Sequence, residues 1–307
     1  MDKVGSLSVV RQISRRTIVK GLACSGAMGM LGTTTTAMRG QASSHSRYKF
    51  GVQLNAFPID PKNFSTFLEA LGEVKRIGYD GFESGFRNVS GQFASPQSAR
   101  RQIEASGLAF FGIHIFLNTP MYDPATTIAP ASLYESVGRG GAALGAKHLI
   151  LSGAPAANVD QLSRKVEALN RAGAFAKGIG LRVAYHNHWP EFESKIGEIE
   201  ALYTRTDPAL VSFLLDAGHA YRGGANVPQF IRAHFQRIIA FHLRDYRDGR
   251  LVTLGTGTFP LAEVAATIKQ IGWKGWIENE EEREDLSHNG EQVIEPAYHA
   301  MKEAFSS

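Results

Sequence analysis

Residues 211–219 read Val-Ser-Phe-Leu-Leu-Asp-Ala-Gly-His. The run is mainly apolar until it stops on a carboxylate, Asp216. A short apolar run without polar alternation is the pattern of a strand buried on both faces, as in a parallel sheet. A carboxylate ending such a strand is costly unless it is paired, hydrogen-bonded or bound to a cation. Seven comparable runs occur: FGVQLN from Phe50, DGFES from Asp80, AFFGIH from Ala109, KHLILS from Lys147, LRVAYH from Leu181, IIAFHL from Ile238 and GWIENE from Gly275. Their starts lie roughly 27 to 38 residues apart, room for one strand, one helix and a return.

Helical periodicity fills the intervals. Phe64, Phe67, Leu68, Leu71, Val74 and Ile77 follow Pro61 at helical spacing, Leu162, Val166, Leu169 and Ala172 follow Asp160, and Leu261, Val264, Ala265, Ile268 and Ile271 follow Pro260. Gly78, Gly107, Gly145, Gly180 and Gly272 stand just ahead of strands, where a left-handed residue ends a helix. Eight strands alternating with helices predict a (β/α)8 TIM barrel over residues 43–307, with a last helix near Gln292–Phe305. A doubly wound open sheet would usually carry a glycine-rich turn after its first strand, and Gln53-Leu54-Asn55-Ala56 is not one.

The chain has 307 residues, 43% hydrophobic and 20% charged, as a globular protein does. Its net charge of +4 comes from the front: residues 1–42 hold six Lys/Arg and one acid, leaving 27 bases against 28 acids. The body therefore gives no basic surface for nucleic acid. The front predicts an export signal, with a basic start, a weakly apolar stretch from Gly21 to Gly32 and small residues at Gly40-Gln41-Ala42. Ser14-Arg15-Arg16-Thr17-Ile18-Val19-Lys20 resembles a twin-arginine signal. The expectation is a leader cut after Ala42, the twin-arginine translocase as partner during export, and a periplasmic or secreted mature chain of 265 residues outside the membrane. Cys24, the only cysteine, would leave with the leader, so no thiol mechanism is expected. Whether the mature chain forms a homo-oligomer is left open.

In such a barrel, chemistry sits at the C-terminal ends of the strands. There the chain places Glu83, His114, His186-Asn187-His188, Asp216 with His219, His242 with Arg244 and Asp245, and Glu278 and Glu280. Alternate strand residues share a face, so His186 pairs with His188, His242 with Arg244, and Glu278 with Glu280. Imidazoles and carboxylates converging from adjacent strands, with no thiolate, suit a divalent cation: manganese, zinc, cobalt, iron or magnesium.

These segments resemble the xylose-isomerase-like TIM-barrel superfamily, the sugar phosphate isomerases/epimerases that include inosose dehydratases. The likeness rests on Gly78–Glu83, Tyr185-His186-Asn187-His188 with Glu191-Phe192, Leu215–His219, His242–Asp245 and Gly275-Trp276-Ile277 leading to Glu280. It implies a metal held by the fifth to eighth strands, with Asp216, His242 and Glu280 as ligands. His186 stands where many members have Glu, so the fifth-strand ligand is open among His186, His188 and Glu191. His219 fits a supporting or substrate contact, and Glu281, Glu282 and Glu284 read as a solvated acidic face.

The chemistry expected is proton abstraction beside a carbonyl, giving an enediolate stabilised by the cation. His186, His188, Glu191 and Glu280 are the acid–base candidates. Glu83, His114, His219, Arg244 and Trp189 are candidate substrate contacts, and Phe116 could stack on a sugar ring. Reprotonation would make the protein an isomerase or epimerase, and loss of a β-substituent a lyase acting on a keto-sugar or keto-glycoside. A non-catalytic sugar-binding barrel is the third reading. Leu254-Gly255-Thr256-Gly257 reads as a turn rather than a phosphate cradle. With export, this favours an unphosphorylated carbohydrate.

Overall fold

Eight parallel strands close on themselves in the computed structural model, which describes residues 47–282 and 290–306. They are Tyr48–Gln53, Gly81–Gly85, Ala109–Ile115, His148–Leu151, Arg182–His186, Val211–Asp216, Ile238–Leu243 and Gly275–Asn279. Each neighbours the next, and the first pairs with both the second and the eighth. This is the TIM barrel the sequence predicts. The leader expected over residues 1–42, with its cut after Ala42, and Glu284 lie outside the described residues. No described helix is long and apolar enough to cross a membrane.

The helices form for the reasons their sequences give. Phe64–Ile77 starts where the Asn63 side chain accepts from the Ser65 amide. It buries Phe67, Ala70, Leu71 and Val74 against the barrel and ends at Gly78, whose φ is 110°. Each large side chain so buried contributes roughly 1.5–3 kcal/mol. The other four glycine stops, Gly107, Gly145, Gly180 and Gly272, also have positive φ. The last helix is Gly290–Ser306.

Two further strands go beyond the expected eight. Asp245–Arg247 and Arg250–Val252 form an antiparallel hairpin after the seventh strand. Its two-residue turn is Asp248-Gly249, with φ of 50° and 74°. Asp-Gly is a standard sequence signal for this turn.

The barrel interior is layered. Phe111, Ile150, Ala184, Leu214 and Ala240, with Trp276 packed against them, fill its N-terminal part. Two residues further along the fourth to eighth strands stand Ser152, His186, Asp216, His242 and Glu278, all buried. The two-residue period of a strand thus carries one apolar layer into a layer of ionisable groups. Gly51 makes room for the last: a Cβ there would lie 2.8 Å from Cγ of Glu278.

At the opposite end, half-buried His148 donates from Nδ1 to the Phe111 carbonyl at 2.8 Å. Burial lowers its imidazole to about 4, against the partial opposition of that carbonyl. The unfolded chain takes up this proton below about 6.5, whereas the folded chain resists until about 4. Stability from this residue is therefore complete above the upper value and lost as pH falls through the window. Melting temperature is expected to fall from pH 6.5 to 4, and less steeply in His148→Asn. An identical slope in the variant would remove His148 as a cause.

Candidate metal centre

The fifth to eighth strands bring His186, Asp216, His242 and Glu280 together, with one ligand atom from each lying within 4.8 Å of the others. Glu280 Oε2 is 2.8 Å from His242 Nδ1 and 3.0 Å from His186 Nε2. The two imidazole nitrogens are 3.1 Å apart, and Asp216 Oδ2 is 3.5 Å from His186 Nε2. Atoms sharing a cation at roughly 2.0–2.2 Å sit about 3–4 Å from one another, so these separations fit a common ion. Asp216 Oδ2 makes no aligned hydrogen bond although it is fully buried. The cluster is consistent with a divalent cation site of mixed N/O donors.

Local structure fixes each donor. Asp216 caps the short helix Ala217–Arg222, its Oδ1 accepting from the His219 amide at 2.6 Å. That bond leaves Oδ2 for the cluster. Asn187 and Asp216 exchange two further bonds, Asn187 Nδ2 to the Asp216 carbonyl and the Asp216 amide to Asn187 Oδ1. His186 Nδ1 faces Ser152 Oγ at 3.4 Å, and Ser152 reaches His114 Nε2 at 2.7 Å. His114 Nδ1 in turn donates to Glu83 Oε1 at 2.8 Å. Glu83 and His114 thus lie beneath the donors and do not line the cavity beside His188.

Arg244 supplies the positive charge. Its Nε is 2.7 Å from Asp216 Oδ2, its Nη2 donates to Glu280, and its Nη1 donates to Glu282 at 2.6 Å. It pairs with Glu280 rather than with the adjacent Asp245. Asn55, unforeseen in the sequence, donates to both Glu280 and Glu282 at 3.2 Å. Glu281 and Glu282 do not form the expected solvated acidic face: Glu281 is buried and Glu282 accepts from Arg244.

The charges shift as this geometry demands. Burial alone would raise Asp216 and Glu280, but Arg244 leads the groups that hold both well below the usual carboxylate range. Burial alone would lower His186, yet Glu280 and Asp216 lift it to about 9. Glu83 and Glu280 likewise raise His242 against burial. Bound protons here stand where a cation would bind, and metal uptake would release them.

Glu191 is placed elsewhere. Its Oε1 accepts from Lys165 Nζ at 2.8 Å and from the Tyr185 hydroxyl, and its Oε2 accepts from the His188 amide at 2.7 Å. Lys165, also fully buried, bonds Glu198 at 2.7 Å. With both oxygens engaged, Glu191 serves the turn after the fifth strand, not the donor cluster. The lysine that holds it lies 26 residues away and gave no signal in the sequence.

His188 stands between the cluster and open space. Its ring is 5.1 Å from His186 and 5.0 Å from His219 by centroids. Burial, then His186 and His219, lower its imidazole well below the ordinary value, so it is neutral near pH 7. His219, lowered to about 3 by burial and Arg244, meets the Tyr246 hydroxyl through Nδ1 at 3.2 Å. His188 lines a cavity of about 460 Å³ with Phe116, Leu117, Pro120, Tyr122 and Trp189. Trp189 also stacks on Arg222 at 4.7 Å. The glycine loop after the hairpin turns its amides away from ligands: Gly255 and Gly257 both donate to Asp245 Oδ2, and Phe259 to Oδ1.

A TIM barrel with a buried N/O donor set at the C-terminal ends of its strands is the architecture of a cation-assisted enzyme. The chain belongs to the xylose isomerase-like TIM barrel family, whose model matches residues 71–304. Among curated relatives it is 31% identical over 144 residues to an inosose dehydratase of Bacillus licheniformis, covering 41% of this chain and 48% of that protein. In that comparison the chain spans about half the relative's length. It is 24% identical over 256 residues to the inosose dehydratase of Lacticaseibacillus casei, covering 73% of this chain and 85% of the relative. Among solved structures, an IOLI protein with a bound zinc atom superposes with a TM-score of 0.68 at 15% identity, covering 84% of this chain and 98% of that one.

Proposed function

We propose that the protein is a divalent-cation-dependent lyase that eliminates a β-oxygen substituent from a keto-polyol or keto-sugar. The observation that favours elimination over the isomerisation first expected is the base supply. Among the described residues lining the cavity, His188 is the one imidazole, and no carboxylate joins it. Epimerisation through an enediolate is commonly served by bases on both faces of the substrate carbon, whereas elimination from one face needs one. The naming of relatives as inosose dehydratases supports the same choice. Zinc in the IOLI structure supports the cation class.

His186, Asp216, His242 and Glu280 would hold the cation. When bound, it supplies Lewis-acid polarisation of the substrate carbonyl and its neighbouring hydroxyl. Neutral His188 then takes the proton α to the carbonyl, and the C–H electron pair moves to the carbonyl oxygen. As that pair returns, the β-carbon–oxygen bond breaks. The leaving oxygen takes the proton from His188 and departs as water or an alcohol. Arg244 holds Glu280 and Asp216 in place, and Trp189 and Phe116 form the wall for the ring. The engaged amides of Gly255 and Gly257 favour an unphosphorylated substrate. Export through residues 1–42 belongs to the same reading; fractionation of cells expressing the chain with and without Arg15→Lys/Arg16→Lys tests it.

An inosose incubated in deuterated water is the direct assay. Elimination should give an unsaturated or diketone product, read by ultraviolet absorbance and mass. His188→Gln is expected to slow it roughly 10²–10⁴-fold with cation content unchanged. Full activity in that variant would remove His188 as the base. Exchange of the α-proton with recovery of an epimer would return the isomerase reading.

A further inference from the structure

His242 has two ring nitrogens, and the donor cluster uses only Nδ1. Its Nε2 points inward, 3.2 Å from Glu83 Oε2 and 4.0 Å from Glu278 Oε2. These three groups lie within 4.8 Å of one another and are fully buried. None of the facing atoms makes an aligned hydrogen bond: His242 Nε2, Glu83 Oε2 and both oxygens of Glu278 are all without one. A buried carboxylate with neither oxygen bonded is costly to maintain. The fold nevertheless makes space for it, since a Cβ at Gly51 would press on Glu278 at 2.8 Å. Glu83 is held in orientation by His114 through its other oxygen, as metal-bound carboxylates commonly are by a neighbouring donor.

We propose that Glu83, His242 and Glu278 form a second, inner divalent-cation site, bridged to the outer one by the His242 ring. The separations of 3.2 and 4.0 Å match donors about 2.0–2.2 Å from one ion. The free second oxygen of Glu278 or a water would complete four-coordination. With both sites filled, His242 gives up its ring proton and binds each cation through one nitrogen. Two divalent cations then offset most of the charge of the buried carboxylates Glu83, Asp216, Glu278 and Glu280, with Arg244 shared among Asp216, Glu280 and Glu282. The inner cation holds His242 and neutralises Glu278. It touches no cavity residue, so its role is to position the outer donor.

The test is cation stoichiometry of the full, untagged chain after saturation with Mn²⁺ and removal of excess ion, read by elemental analysis. About two equivalents are expected in the unaltered chain and about one in Glu278→Gln, which keeps the side-chain shape. Electron paramagnetic resonance of the unaltered chain supplies a readout independent of that variant's folding: a spin-coupled Mn²⁺ pair supports the bridge. One equivalent in both chains with an isolated-ion spectrum overturns the inner site while leaving the outer one standing. No uptake in either removes both.

Discussion

Asp216→Asn should abolish retention of the divalent cation in the outer cluster and lower elimination by roughly 10³-fold or more. Losing Lewis-acid stabilisation worth several kcal/mol at about 1.4 kcal/mol per decade gives that scale. Asparagine keeps the side-chain carbonyl that accepts from the His219 amide at 2.6 Å, so the helix Ala217–Arg222 should stay capped. What it loses is the negative charge at Oδ2, beside His186 Nε2 at 3.5 Å and Arg244 Nε at 2.7 Å. The measurement is cation content by elemental analysis beside the inosose assay, with circular dichroism to check folding. A folded variant that retains as many equivalents of cation as the unaltered chain would remove Asp216 from the donor set. A variant that loses its cation and keeps its rate would remove the cation from the chemistry.

Lys165→Met should have the largest effect on stability, a loss of roughly 3–5 kcal/mol, because removing one partner strands buried opposite charges. Lys165 Nζ bonds Glu191, Glu198 and the Ala154 carbonyl at 2.8, 2.7 and 3.0 Å, all out of water. The two glutamates would then face each other without a cation between them. Urea denaturation read by fluorescence gives the shift in midpoint. The same substitution should slow elimination, since Glu191 holds the His188 amide at 2.7 Å and so sets the base's position. Lys165→Met/Glu191→Gln/Glu198→Gln should recover much of the stability by removing both stranded charges. A midpoint unchanged in Lys165→Met would show that water or a counter-ion reaches this cluster.

Sequence by itself determined the barrel and the identity of its mouth. The even spacing of buried strands left little choice of topology, and the glycines ahead of strands marked helix ends through a backbone angle that other residues adopt poorly. Strand parity put His186 with His188, His242 with Arg244 and Glu278 with Glu280 on shared faces, because side chains alternate with a period of two. Periodicity says nothing of how deep an acid sits or what it meets across the barrel. Tertiary structure alone decided that Glu191 belongs to Lys165, that Glu282 turns in to Arg244, and that Ser152 joins His114 to His186. It also separated Glu278 from Glu280: both lie on one face, but 280 reaches the mouth and 278 stays inside, opposite Glu83. Those partners come from distant strands, and ring closure of the sheet is what brings them within a few ångströms.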